Sequence, residues 1–475
     1  MWKWINETLL KFENCFNRKA AFRWFTVIVI GLMLRRDDIG LSSMIRELNI
    51  SPRLYETMLH FFRASSWTLE DIRREWMQIV KRSEILFREQ SKPILIGDGV
   101  KQSKEAKKMP CVKKMFQESE NSSKPNYIFG HMFGAIGVLI GSTEKLFCVP
   151  VSMTIQDGNA YILKWLKSDT AEDSHVVRII REACYAASIF TPSILLLDRY
   201  FLTVPALLAW IEEEKRFGHS LLTIVTKAKS NAVAYEKPVQ KTGRGRPAKK
   251  GESIKLSNLF GEASLFTQTD VLMYGKTQSV QFLCRDLLWG KGLYHELRFV
   301  LVKYRDIKSI LVCTDTSLSP EQIIRLYSYR FKIESCFREF KQVIAGFSYR
   351  FWCKSMPNLN PFLKRGDDIL ENMVGEKEKV HILSTVKAIE GFVMLSCIAI
   401  GIVQICSFKF SSSINASSFR WLRTRSNKVL SEATTVDFMR KSIFYMFQFS
   451  PNLHILHLIR SVQSEPPYNQ DSDLA

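Results

Sequence analysis

The chain reads as an α/β protein: a mixed β-sheet with helices on its faces, a β-rich insertion, and helical regions flanking it at both ends. Three features carry that reading. Two short apolar runs, residues 93–98 and 193–198, have the length of buried strands, and each ends in an aspartate. Apolar residues recur at helical spacing over 173–188 and 204–216. Residues 1–90 and 381–461 lack alternation and carry apolar residues three and four apart.

A length of 475 residues exceeds what one core usually holds, so three parts are expected: a helical part over 1–90, an α/β part over 91–345, and a helical part over 346–475 suited to oligomerisation. With 46% hydrophobic and 24% charged residues, wholesale disorder is excluded. Lys and Arg number 67 against 47 Asp and Glu, a formal charge of +20, which points to a polyanion and first of all to nucleic acid. Charge alone is equally met by a merely basic surface. Ten cysteines occur with no C-x-x-C spacing, which argues against zinc fingers and a disulfide frame and for a reducing cytoplasm. The N-terminal residues show an early Glu7 and no small-residue cleavage site, so no signal peptide is expected. The apolar run 391–406, broken by Ser396 and Gln404, falls short of the roughly 20 residues a membrane span needs and reads as a buried helix, with no membrane association expected.

Taken in order, residues 41–48 and 52–63 read as two helices around the break Asn49-Ile50-Ser51, with Ser51 as cap and Pro52 in the first helical position. A helix-turn-helix of this shape would offer Arg53, Tyr55 and Arg63 to a DNA groove, while an ordinary helical hairpin fits the same residues. Strands follow at 93–98, 127–141 and 145–154, then a helix at 173–188, a strand at 193–198, a helix at 204–216 and a strand at 221–226. The order βββαβαβ implies a mixed sheet. An insertion over about 227–318 then holds the basic loop 241–250 and strands at 298–303 and 309–314. One helix is expected over 319–343, with Ser319 capping it ahead of Pro320. Residues 355–380 read as a polar connector and 463–475 as a loose tail.

The chemistry starts with Asp98 and Asp198, because a carboxylate at a strand end faces the cleft above the sheet. On the 319–343 helix, Tyr327, Arg330, Glu334 and Lys341 are spaced by three, four and seven residues. At about 100° per residue they fall within about 60° of one another and share a face. Glu can bind a metal, Arg and Lys can bind phosphates, and Tyr can hydrogen-bond or stack; a solvated face with an Arg330–Glu334 ion pair is the plain alternative. Arg244-Gly245-Arg246-Pro247 resembles an AT-hook, which lies in a narrow A·T minor groove, and a loop touching phosphates only fits equally. The run 101–114, with Lys101, Lys104, Lys107, Lys108, Lys113 and Lys114, reads as a second phosphate-contacting surface or a solvated run.

The intervals 327, 330, 334 and 341 reproduce Tyr-x2-Arg-x3-Glu-x6-Lys, and over about 91–345 the chain resembles the DDE transposases of bacterial insertion sequences that carry this signature. The resemblance implies a ribonuclease H-like core in which Asp98, Asp198 and Glu334 coordinate two Mg²⁺, with Mn²⁺ able to substitute. It implies that Arg330 and Lys341 hold DNA phosphates and that Tyr327 braces the same strand. Lys101, Arg244 and Arg246 join them as candidate DNA-binding residues. The implied partners are double-stranded DNA, as element ends and target, and a second copy of the chain in a synaptic homodimer. The implied setting is the nucleoid of a bacterial cytoplasm. Some members stack a flipped base on a Trp of the insertion; residues 309–314 contain none and Trp289 is a distant candidate, which leaves hairpin-forming excision open. A metal-dependent nuclease without strand transfer and an inactive DNA-binding descendant are the competing readings.

Overall fold

The computed structural model describes residues 1–117, 126–239, 247–359, 362, 368–371, 373–419, 421 and 429–464. Five helices come first: α1 (Trp2–Leu10), α2 (Lys19–Leu34), α3 (Ser42–Leu48), α4 (Tyr55–Phe61) and α5 (Leu69–Lys81). Strands β1 (Arg88–Glu89), β2 (Lys92–Ser103), β3 (Lys113–Phe116), β4 (Tyr127–Ser142) and β5 (Lys145–Ile155) follow. Then come α6 (Ala160–Trp165), α7 (His175–Phe190), β6 (Ser193–Leu196), α8 (Val204–Phe217) and β7 (Leu222–Lys227). The insertion supplies β8 (Val233–Tyr235), β9 (Ser253–Lys255), β10 (Thr267–Met273), β11 (Lys276–Trp289), β12 (His295–Tyr304) and β13 (Ile307–Cys313). Helices α9 (Pro320–Ser328), α10 (Lys332–Gln342), α11 (Glu376–Lys409), α12 (Glu432–Phe449) and α13 (His454–Arg460) complete the described chain.

The strands form one mixed sheet in the order β3-β4-β2-β6-β7-β13-β12-β11-β8-β9, with β1 also on β2, β5 on β4 and β10 on β11. β2 and β4 are antiparallel, as are β4 and β5, whereas β6 is parallel to both β2 and β7. The insertion extends this sheet, because β13 pairs antiparallel with β7. Register decides the site: Leu95 pairs with Leu195 and Ile96 with Leu196, so Asp98 and Asp198, each two residues on, lie at the same level. β2 does not end at Asp98 as the apolar run suggests but continues to Ser103, because β4 keeps pairing with it there.

Two helices are buried on nearly every face, as expected of central helices. They are α2 and the stretch of α11 from Gly391 to Ser407. α11 is the one described helix long and apolar enough to cross a membrane, and 94% of its most apolar window is buried inside the protein. It packs on β5, α2 and α5, so the helices from the two ends of the chain share one core with the sheet. Its glycines explain the close approach of α5 and the turn before it. A Cβ on Gly391 would lie 2.8 Å from Trp67, and one on Gly401 would lie 2.3 Å from Trp76.

Two expectations are corrected. The second helix of the proposed helix-turn-helix is a single 3-10 turn, Pro52–Leu54, running into the short α4, and Ser51 makes no side-chain cap. The helix expected over 319–343 is two helices, α9 and α10. Ser319 does form the capping box with Gln322, but at 329–330 the winding tightens: Tyr329 N–H bonds to Leu326 O and Arg330 N–H to Tyr327 O, each three residues back. Neither Gly nor Pro marks the break. Aromatic packing accompanies it instead, with Tyr329 edge-on to Phe87 at 5.6 Å and Phe331 against Tyr274 at 5.6 Å.

Candidate active site

Asp98 sits on β2 with one carboxylate oxygen accepting the Gly99 N–H at 2.8 Å and the other bound by Arg330 at 2.5 Å. The second guanidinium arm of Arg330 reaches Glu334, one turn on, at 2.8 Å. Arg330 therefore lies between two carboxylates supplied by β2 and α10. It lies in the break between α9 and α10 and keeps the i, i+4 relation to Glu334. Its Nε is buried with no hydrogen-bond partner, so the guanidinium is not fully satisfied in this position.

Asp198 follows β6, begins a 3-10 turn, and its carbonyl accepts the Thr226 hydroxyl at 2.9 Å. Its charge acts on Asp98, Tyr327 and Arg330, which places the four groups in one neighbourhood. Burial pushes the Asp98 carboxyl up to about 6; Arg330 and the Gly99 N–H oppose this, and the charges of Asp198 and Glu334 add to it. Burial, then the Asp198 charge, raises the Tyr327 hydroxyl. Burial works against the Arg330 charge, but Asp98, Asp198, Tyr327 and Glu334 together hold its pKa above the usual value.

The donor type suits a hard divalent cation, since carboxylate oxygens are the ligands such ions prefer. Among the described residues no three His, Cys, Asp or Glu side chains are gathered to hold one ion, and the cationic charge between Asp98 and Glu334 is that of Arg330. Metal binding by all three carboxylates would require Arg330 to release Asp98 and Glu334.

Asp98, Asp198, Tyr327, Arg330 and Glu334 thus come together. Lys341 is exposed on the last turn of α10, about 10 Å along the axis from Glu334, with its ammonium 5.9 Å from the Phe347 ring. Lys101 is three residues from Asp98 on a regular strand and so faces the other side of the sheet, where its ammonium donates to Phe116 O at 2.7 Å and its charge acts on His175. Arg244 and Arg246 lie outside the described residues. Within the basic run, Lys104 is no surface cation: it donates to the carbonyls of Phe347 and Tyr349, and burial lowers its pKa to about 7.

Sequence reasoning missed Tyr274. It lies with Gly275 at the tip of the β10–β11 hairpin, both at positive φ, with Met273 paired to Lys276. Its ring rests on Phe331 beside Arg330. The signal was present as a two-residue Tyr-Gly turn between strand-forming runs.

Two family models match the chain: DDE superfamily endonuclease over residues 11–154, and transposase DDE domain over residues 161–352. The first spans Asp98; the second spans Asp198, Tyr327, Arg330, Glu334 and Lys341. The chain belongs to the DDE transposases. No curated protein and no solved structure matched it. The family is one of nuclease-type enzymes with DNA as substrate, and its members typically depend on divalent metal ions.

Proposed function

We propose that this transposase cuts the ends of a bacterial insertion sequence and joins them to target DNA, using Asp98, Asp198 and Glu334 of a ribonuclease H-like core. The strand order β5-β4-β2-β6-β7, with only the last three mutually parallel, supports the core assignment. The observation that carries the reading is the shared level of Asp98, within β2, and Asp198, just past the parallel β6, with Glu334 tied to Asp98 through Arg330. The three carboxylates would hold two Mg²⁺, or Mn²⁺ in their place, which would supply charge neutralisation and a lowered pKa for an attacking water or 3′-hydroxyl.

The chain's own residues divide the remaining work. Arg330 exchanges its carboxylate partners for a DNA phosphate when DNA and metal arrive, and Lys341 holds a phosphate further along the same strand. Tyr327, its hydroxyl kept protonated, donates a hydrogen bond to that backbone. Joining two ends calls for two copies of a chain with one such site, hence a dimer working on the nucleoid in the bacterial cytoplasm.

Incubating the protein with DNA carrying its own element's ends and Mg²⁺, then resolving nicks, hairpins and joined products on a gel, tests this reading. Joined products support it. Cleavage without joining, even when free 3′-hydroxyl ends are supplied, would reduce the protein to a nuclease, and no cleavage at all would reject the proposal.

A further inference from the structure

After α10 the chain runs as a strip over residues 349–354 with strict alternation. Tyr349, Phe351 and Cys353 are buried, while Arg350, Trp352 and Lys354 point outward, Trp352 with 59% of its surface exposed. Such alternation marks an extended segment lying flat on a core. The backing is firm. The Tyr349 hydroxyl lies 2.6 Å from His131 Nδ1, the Lys104 ammonium sits 3.6 Å from the Tyr349 ring centre, and Phe351 packs on Phe62 at 5.2 Å. Cys353 N–H donates to Lys108 O at 2.9 Å, which brings the exposed Lys107 and Lys108 alongside, and Lys108 Nζ reaches Lys354 O at 3.3 Å. No Asp or Glu occurs from Phe340 to Leu359.

Trp352 thus offers a flat apolar face between the outward cations Arg350 and Lys354 on a firmly backed strip. The matching surface carries negative charges separated by flat apolar groups, as the sugar–phosphate backbone of DNA does. Position favours duplex DNA over other polyanions. Asp98 and Lys104 are six residues apart along β2 and its continuation, about 20 Å, and the strip is anchored on Lys104. At about 3.4 Å per base pair, that is roughly six base pairs of duplex.

We propose that Arg350, Trp352 and Lys354, with Lys107 and Lys108 beside them, form a second DNA-binding surface that grips the duplex roughly six to eight base pairs from the scissile phosphate. Arg350 and Lys354 contact phosphates, and Trp352 lies against the sugars between them. The inference rests on the reading of Asp98 as part of the cleavage site.

The test uses the full chain and duplex DNA in fluorescence anisotropy over a series of salt concentrations. Arg350→Gln with Lys354→Gln should lower the slope of log affinity against log salt by about two. Trp352→Ala should weaken binding about tenfold at an unchanged slope. All three side chains face solvent, so thermal melting should stay at the wild-type value. Methylphosphonate linkages placed about six to eight base pairs from the cleavage position should weaken the wild type and leave the double variant unaffected. An unchanged salt slope in the double variant overturns the proposal. So does a loss of binding to phosphatidylserine vesicles, or of self-association, while DNA binding is unchanged. Wild-type protein that binds with the expected slope but never cuts DNA would reject the cleavage reading and leave this surface standing.

Discussion

Arg35 and Arg330 hold the two ends of α10, and they do so with opposite chemistry. Beyond its C-terminus, Arg35 of the N-terminal helices spends its whole guanidinium on neutral oxygens: Nε and one arm on Ile344 O at 3.1 and 2.6 Å, the same arm on Ala345 O at 2.7 Å, the other on Gly40 O at 3.1 Å. Burial without a carboxylate in contact lowers its pKa to about 10. At the N-terminus, Arg330 binds two carboxylates, leaves Nε unpaired, and its pKa is raised despite burial. A guanidinium with all three nitrogens bound to backbone carbonyls is a fastening. One that balances charge with a donor to spare is an exchangeable counter-ion, and that difference separates structure from chemistry along one helix.

The largest effect should come from the carboxylates that Arg330 balances. Asp98→Asn, Asp198→Asn or Glu334→Gln should each lower cleavage by at least about 10³-fold, since lost metal-based charge stabilisation amounts to several kcal/mol, while binding to DNA is retained. Nicking near the wild-type rate in any of the three would remove that residue from the site. The fastening predicts the reverse pattern. Arg35→Ala should cost about 2–4 kcal/mol in urea unfolding, because the carbonyls of Gly40, Ile344 and Ala345 lose buried donors, and the folded fraction should cut DNA normally per molecule. A loss below about 0.5 kcal/mol would place Arg35 among ordinary surface residues and dissolve the contrast.

How much of this was legible follows from the range of the forces involved. The parallel pairing of β2 with β6 was readable because a buried parallel strand needs a short continuous apolar run, but the continuation of β2 past Asp98 to Ser103 was not, because it rests on pairing with β4 rather than on an apolar run. The Ser319 cap was readable because capping is local. The break between α9 and α10 was not, because right-handed geometry continues through Tyr329 and Phe331 and the cause is what their rings meet, Phe87 and Tyr274, far away in sequence. The Arg330–Asp98 pair was hidden for the same reason, and the i, i+4 pair with Glu334 looked like ordinary surface chemistry. Lys104 misled the charge count: its neighbours are surface cations, while its own ammonium is spent on two carbonyls.

Glu390 sharpens the comparison from the acidic side. It lies on α11 and accepts the Ile155 N–H at 2.9 Å, a neutral partner like those of Arg35. Burial pushes its carboxyl up to about 7, opposed by the Ile155 N–H and Arg73 and aided by Glu182. Below the unfolded value of about 4.5 both states are protonated and nothing is lost. Between that pH and about 7 the unfolded chain releases a proton that the folded chain keeps, so stability falls as pH rises, and above 7 the whole cost is present. Glu390→Gln should therefore stabilise the protein by roughly 1–3 kcal/mol at pH 8 and by little at pH 4.5, as read from paired urea titrations. Equal effects at both pH values would mean that Glu390 is charged in the fold and satisfied there.

The smallest effect tests Arg330 itself. If its guanidinium is a counter-ion standing between Asp98 and Glu334, then removing the charge without opening a large hole should improve the site for another cation. At an effective dielectric near 20, a unit charge a few ångströms away is felt at the level of a few kcal/mol, and part of that is returned by solvent. Arg330→Gln should accordingly bind Mn²⁺ about tenfold more tightly than wild type in the absence of DNA, followed by the loss of the free-ion electron paramagnetic resonance signal. The same variant should cleave more slowly, since the phosphate contact is gone. Arg35→Ala should leave Mn²⁺ affinity where it is. Weaker Mn²⁺ binding in Arg330→Gln would mean that Arg330 orders the carboxylates for the metal, and both arginines would then be fastenings.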